Sequence, residues 1–266
     1  MEVLAYVLTG MLAGLLAGLL GIGGGLVIVP ALAFLLSRHG FGTANLMHFA
    51  VGTSLATIVA TSTSSLLAHQ RRGSVFWPVV RGLLPGILLG GLGGAWLARQ
   101  ISSPGLGLFF GMFEILVALQ LLLGAGPAPQ RRLPRAGLQG LAGMVIGAVS
   151  ALLGIGGGTL TVPWLVWHRV DIRMAVGTAA TVGLPIALAG ALGFALGGMQ
   201  AGEWPDYSTG YIYWPAAAGI VLGSVPLAPA GAWLAHYLPR PTLQRGFALV
   251  LALIGLKMIH AAVTAS

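Results

Sequence analysis

Long apolar runs separated by short polar stretches dominate the pattern of this chain. A helix needs about 20 apolar residues to cross ~30 Å of hydrocarbon. Eight runs approach or exceed that length, and they cover residues 3–36, 44–68, 74–98, 106–123, 138–167, 175–197, 211–235 and 243–262. The pattern therefore predicts an all-α polytopic membrane protein.

Composition narrows the function classes. The 266 residues are 57% hydrophobic and only 7% charged, whereas a soluble domain carries about a quarter charged residues. The low charged fraction therefore excludes soluble enzymes. Nucleic-acid-binding proteins are excluded as well, because the net charge of +8 is spread thinly and forms no basic face. Without cysteines there is no thiolate metal site. The histidines form no metal-ligand motif and no phosphate-binding loop is present, so we expect no enzyme activity, metal, cofactor or nucleic-acid partner.

Two of the apolar runs are too long for one simple crossing. Residues 3–36 would form a helix of roughly 51 Å, and the run of residues 138–167 is nearly as long. Each run contains the string LLGIGGG, at 19–25 and at 152–158. We expect these strings to break the helices.

The chain resembles itself at about half its length. Besides the glycine strings, AVGT occurs at 50–53 and 175–178, and GAWLA at 94–98 and 231–235. The order of the matches is the same in both halves, which indicates an internal duplication. We predict two homologous four-segment repeats, 1–128 and 136–266, joined by a linker at about 124–135 (GAGPAPQRRLPR). Such repeats are typical of secondary transporters, with the substrate site at the repeat interface.

The distribution of arginines favours inverted repeats. If each glycine string folds its first segment into a hairpin, each half crosses the membrane an odd number of times. One side then holds Arg71, Arg72, Arg131, Arg132, Arg135, Arg169, Arg173, Arg240 and Arg245. The other side keeps Arg38, Arg99 and Lys257 together with the acids Glu2, Glu203 and Asp206. Because cytoplasmic loops are rich in Lys and Arg, we expect both termini outside, on the periplasmic face.

The glycine strings are the first candidate site. Non-helical backbone at membrane depth is tolerated only where it is buried in protein or lines a water-filled cavity. The apolar helical pattern resumes directly after each string. The N–H groups of a helix start attract anions. The candidate substrate-binding residues here are Gly23, Gly24, Gly25, Leu26, Gly156, Gly157, Gly158 and Thr159. The alternative is that the glycines only permit close helix crossing.

Hydroxyl side chains in the second segments form the other polar cluster. Thr53 and Thr178 match across the repeat, and Ser54 follows the first of them. Their hydroxyls are candidates to complete the shell of a bound oxyanion. The alternative is ordinary hydrogen bonding between or within helices.

Three ionisable residues within the apolar runs are candidates for a role in transport. Arg81 is a candidate for attracting the anion, although it lies near a segment end and can extend to the surface. Glu114 is the acid at membrane depth, and it is a candidate either for carrying a coupling proton or for pairing with an arginine. His48, beside the AVGT motif, is a candidate substrate contact or proton carrier.

The paired LLGIGGG…VP strings, each followed by an AVGT stretch in a duplicated chain, resemble the sulfite exporter TauE/SafE family. The resemblance covers essentially the whole chain, although Ala179 replaces the serine that follows AVGT in the first half. It implies transport of a small sulfur-containing anion, such as sulfite, a sulfonate or sulfoacetate, across the bacterial inner membrane. Lipid surrounds such a protein, and H⁺ or Na⁺ is its expected coupling ion. The sequence leaves the oligomeric state open.

A secondary transporter is the function that these observations favour. The alternatives are an anion or ion channel and a transporter of a non-sulfur small organic acid. An intramembrane serine protease is disfavoured, because Ser54 and His48 are six positions apart and lie on opposite helix faces.

Overall fold

The computed structural model describes residues 2–20, 24–123, 133–199, 205–234 and 240–265. These ranges form ten α-helices: α1 (Glu2–Leu20), α2 (Gly25–Arg38), α3 (Leu46–Arg71), α4 (Trp77–Ala98), α5 (Ser103–Leu122), α6 (Ala136–Leu153), α7 (Gly158–Trp167), α8 (Ile172–Gly198), α9 (Trp214–Leu234) and α10 (Arg240–Ala265). A 3₁₀ turn, Thr43–Asn45, precedes α3. A small antiparallel hairpin of β1 (Ser208–Thr209) and β2 (Ile212–Tyr213) precedes α9.

The helical membrane architecture is confirmed. In the described ranges seven helices are long and apolar enough to cross a membrane, namely α3 to α6 and α8 to α10. The predicted segment 211–235 begins differently, because its first residues belong to the β-hairpin and the helix starts at Trp214. A Trp-Pro pair opens both α4 and α9, and proline suits the first turn of a helix because it lacks an N–H.

Both over-long segments are split at the glycine strings. The first becomes α1 and α2, and the second becomes α6 and α7. Gly154 ends α6 in the left-handed region, with φ of 65°, and the N–H of Ile155 bonds the carbonyl of Ser150 at 3.0 Å. Glycine reaches this conformation without steric cost. The ten residues of α7 extend roughly 15 Å, about half of the hydrocarbon thickness.

Each split segment folds back on itself. Near the start of α1, the Tyr6 hydroxyl lies 2.9 Å from Nδ1 of His39, which directly follows α2. In the second half, Leu133 before α6 and Val170 after α7 line the same pocket. Both hairpins therefore return to the side on which they began. Most of the predicted linker, residues 124–132, and Gly23 lie outside the described residues.

The two halves pack crosswise. Helix α1 lies along α9, and α6, at the matching position of the second half, lies along α4; within each pair the helices run parallel. Glycines allow the backbones to approach closely: Gly10 meets Ile220, Gly14 meets Ser224, Gly86 meets Gly140, and Gly94 meets Ala148. Close packing of this kind replaces the hydrophobic driving force that membrane helices lack.

Helices at matching positions of the halves run antiparallel to one another. In α3 and α8, Gly52 packs on Phe194 and Ser62 packs on Gly183. Residue numbers therefore increase along α3 in the direction in which they decrease along α8. Helices α5 and α10 show the same direction: Gly107 lies near Ala262, whereas Gly111 lies against Gly255 and Ile259.

Candidate functional site at the paired helix breaks

The two glycine strings meet inside the protein. A Cβ placed on Gly25 would lie 2.6 Å from the carbonyl oxygen of Gly154 and 2.7 Å from Cα of Ile155. Gly25 and all residues from Gly154 to Gly157 are buried. The structure therefore brings together two strings that are more than a hundred residues apart in the chain.

Helix α3 fixes the second string in place. The Ser54 hydroxyl, fully buried, donates to the carbonyl oxygen of Gly154 at 2.8 Å. A Cβ on Gly154 would lie 3.0 Å from Cα of Val51 and 2.9 Å from a methyl carbon of Val29. Ser54, a predicted substrate contact, is thus a neighbour of the glycine break and holds its backbone.

A new helix starts directly after each string. In α2 the N–H groups of Val27 and Ile28 donate to the carbonyl of Gly24, so those of Gly25 and Leu26 precede the first intrahelical bond. In α7 the first such bond runs from Thr161 to Gly157. Helix starts of this kind carry partial positive charge.

The remaining predicted residues of the strings flank these starts. Leu26 is fully buried, Thr159 is 9% exposed, and Gly156 and Gly157 are buried. A Cβ on Gly157 would lie 2.8 Å from the carbonyl oxygen of Ala179. A Cβ on Gly156 would meet only a methyl carbon of Ile58, at an ordinary 3.7 Å.

The matched threonines Thr53 and Thr178 connect the two halves. Thr53 accepts a hydrogen bond from the backbone N–H of Tyr213 at 3.0 Å, and Thr178 accepts one from the N–H of Phe76 at 2.9 Å. Both side chains are fully buried. Each therefore holds the residue that precedes a Trp-Pro helix start in the opposite half. Their predicted role as substrate ligands remains a prediction.

The three predicted ionisable residues have their contacts elsewhere. His48 is buried, its Nε2 lies 3.0 Å from the carbonyl of Ala98, and its ring packs on Tyr211 with centroids 5.0 Å apart. Arg81 has an exposed side chain near the start of α4. Glu114 is fully buried in α5, against α10.

Sequence reasoning missed the contacts that join the halves beside these threonines. Gly52 packs against the carbonyl of Tyr211, and its counterpart Gly177 packs against Ser74. The signal was present, because Gly52 and Gly177 belong to the repeated AVGT stretch. Only the three-dimensional pairing shows that the glycine admits a loop from the other half.

A cavity of about 360 Å³ lies where α7 joins α8. Its lining includes His168, Arg169 and Asp171. Among the described residues no group of His, Cys, Asp and Glu side chains has an arrangement that would hold a metal ion.

Similarity to known proteins agrees with this architecture. Residues 6–258 match the family model described as "Sulfite exporter TauE/SafE". A "Probable membrane transporter protein" of Haemophilus influenzae is 38% identical, over 96% of this chain and 97% of the relative. The "Probable membrane transporter protein YunE" of Bacillus subtilis is 26% identical, over 98% of both chains. No solved structure matches the chain significantly. This multi-pass membrane protein therefore belongs to the sulfite exporter TauE/SafE family of membrane transporters.

Proposed function

We propose that this protein is a secondary transporter that moves a small sulfur-containing anion of the sulfite, sulfonate or sulfoacetate type across the bacterial inner membrane. The anion binds where the two glycine strings meet, at the backbone N–H groups that open α2 and α7. The observation that carries this proposal is the contact of Gly25 with Gly154 and Ile155. The family description supplies the sulfur chemistry.

Electrostatics support an anion at this position. An unpaired charge at the membrane midplane costs several kcal/mol or more, so the site must compensate it. Each helix start contributes roughly +0.5 elementary charge. The starts of α2 and α7 together therefore supply about the positive charge that compensates a monovalent anion. Because glycines have no side chains, an anion can reach the backbone directly.

The packing directions support inverted repeats. A two-fold axis in the membrane plane reverses every helix that it relates, whereas an axis along the membrane normal does not. Helices at matching positions, α3 with α8 and α5 with α10, run antiparallel. With the arginine-rich loops in the cytoplasm, we infer that both termini lie in the periplasm.

The proposal is tested by ligand-induced thermal stabilisation of the purified protein. The panel contains sulfite, thiosulfate, sulfate, sulfoacetate and taurine, with acetate, chloride and phosphate as controls. A ligand at a hundred times its Kd stabilises the folded state by about 2.7 kcal/mol. Stabilisation confined to one or two sulfur anions supports the proposal, and flux of those anions into proteoliposomes then checks transport.

A glycine variant locates the site. Gly156→Ala places a methyl group beside the backbone N–H groups that open α7, where the fold has room for it, so we expect normal folding and weaker anion stabilisation. Gly93→Ala is the matched control, because a Cβ there meets open space. Equal anion stabilisation of Gly156→Ala and Gly93→Ala would contradict the assigned site. Rapid, non-saturating flux would indicate a channel instead.

A further inference from the structure

In the part of the chain that the structure describes, Glu114 is an acid without a hydrogen-bond partner at the centre of a membrane-spanning helix. It lies near the middle of α5 and is 0% exposed. Neither of its carboxyl oxygens has a hydrogen-bond partner among the described residues. Its Cβ lies close to Gly255 of α10, where an added Cβ would be only 3.2 Å away. The absence of a side chain at Gly255 therefore makes room for the acid.

The fold does not require an acid at this position. The position in α10 that matches Glu114 is Leu251, which is also fully buried. Burying leucine at such an interface is favourable, whereas a buried polar group without partners destabilises the protein. A structural role accounts for Leu251 but leaves the carboxyl group of Glu114 unexplained.

Among the side chains that the structure describes, no opposite charge bonds the carboxyl group. The elements packed on α5 are α10, α3, α6 and the 3₁₀ turn. Ionisable residues with described side chains on these elements are Arg245, Lys257 and His260 on α10, and His48, His69 and Arg71 on α3. None of them bonds Glu114: Lys257, for example, lies over the ring of Phe34 at 5.1 Å, and His48 bonds the carbonyl of Ala98.

An ionised carboxylate without partners in hydrocarbon is very costly. In the conformation that the structure shows, Glu114 is therefore the neutral acid and holds a proton. A metal cation such as Na⁺ would need several oxygen ligands, and no polar atom of the described residues forms a hydrogen bond with this group. The surroundings suit a proton and do not suit a metal cation.

We propose that Glu114 is the proton-binding site of this transporter and that H⁺ is its coupling ion. The carboxylate takes up one proton from water, giving the neutral acid, when the α5–α10 interface is open. It keeps the proton while the interface is closed and returns it to water on the other side, regenerating the carboxylate. This inference rests on the proposed transport function and names its coupling ion.

Infrared spectroscopy tests the proton site without any substrate. The chain has only five Asp and Glu residues, so the carbonyl band of a protonated carboxylic acid can be assigned. In lipid vesicles at neutral pH we expect this band in the wild type and in Asp171→Asn, a control at the exposed N-cap of α8. We expect it to be absent from Glu114→Gln. Loss of the band in Asp171→Asn, or its persistence in Glu114→Gln, would overturn the assignment.

Proteoliposomes test the coupling. With sulfoacetate as the probe, which is fully ionised at neutral pH and releases no proton of its own, we expect inward flux to change the internal pH in the wild type. We expect Glu114→Gln to abolish this proton movement while sulfoacetate still stabilises the purified variant. Proton movement that persists in Glu114→Gln would refute the coupling role. Should glutamine prevent folding, Glu114→Leu, which reproduces the counterpart Leu251, replaces it. If the wild type binds none of the panel anions, the transport proposal fails, whereas the infrared band still decides the proton site.

Discussion

Replacing Gly25 with alanine tests whether the two glycine strings are in contact. The added Cβ would lie 2.6 Å from the carbonyl oxygen of Gly154, whereas ordinary contact begins at 3.4 Å. The strings would have to separate by about 0.8 Å. The Gly154 backbone cannot easily move, because Ser54 bonds its carbonyl and Val51 lies against its Cα.

The expected cost follows from this restraint. Overpacking a site that cannot relax destabilises a protein by about 1–3 kcal/mol, and a gain in helix propensity at a first-turn position offsets only a little of it. Gly25→Ala should therefore unfold at a clearly lower temperature than the wild type. Thermal unfolding of the detergent-purified protein, followed by circular dichroism or by intrinsic tryptophan fluorescence, measures the difference.

Two controls make the result specific. Gly93→Ala in α4 meets open space, and Gly156→Ala meets only Ile58 at 3.7 Å, so both should unfold close to the wild-type temperature. If Gly25→Ala is as stable as Gly93→Ala, the strings are not in contact and the assigned anion site loses its geometric basis.

Three further predictions concern the contacts between the halves and the topology. Thr178→Val leaves the N–H of Phe76 without its acceptor and should lower the free energy of unfolding by about 1–3 kcal/mol. The control is Thr63→Val, because the Thr63 hydroxyl is exposed and bonds its own helix, so its loss should change the unfolding temperature little. Equal effects of the two variants would refute the argument. Ser54→Ala should cost only about 1 kcal/mol, because the matching residue Ala179 shows that alanine is accepted; a much larger loss of thermal stability would show that this reasoning fails. On the cysteine-free background, a membrane-impermeant thiol reagent should label the exposed positions Gln70→Cys and Arg173→Cys both from the cytoplasm, and labelling of the two from opposite sides would exclude the inverted topology.

The helix breaks were predictable because they have a local cause. A run of glycines in an apolar segment cannot sustain a helix, and the two strings are identical, so the splits at Gly25 and Gly158 follow from composition alone. The all-α membrane architecture was predictable for the same reason, since apolar runs of this length have few other stable forms.

Contacts between distant segments were not predictable from this pattern. Thr53 bonds Tyr213, 160 positions away, and nothing in the sequence around either residue identifies the other. The β-hairpin has strands of two residues, too short for a pattern of alternation. Arg81 lies shortly after the start of α4 at Trp77 and has an exposed side chain, and its predicted part in attracting the anion remains a prediction.

The crosswise packing has a consequence for biogenesis. The ribosome releases α1 long before α9, and α4 before α6, and these later helices cover the glycine faces of α1 and α4. Until the second half is inserted, the N–H of Phe76 lacks its Thr178 acceptor and the hydroxyl of Thr53 lacks Tyr213. Neither half can complete its own structure, so the nascent first half has to remain in the bilayer as a set of loosely associated helices. The packing of α1 on α9 and both of these hydrogen bonds can therefore form only late, after helices of the second half have been inserted.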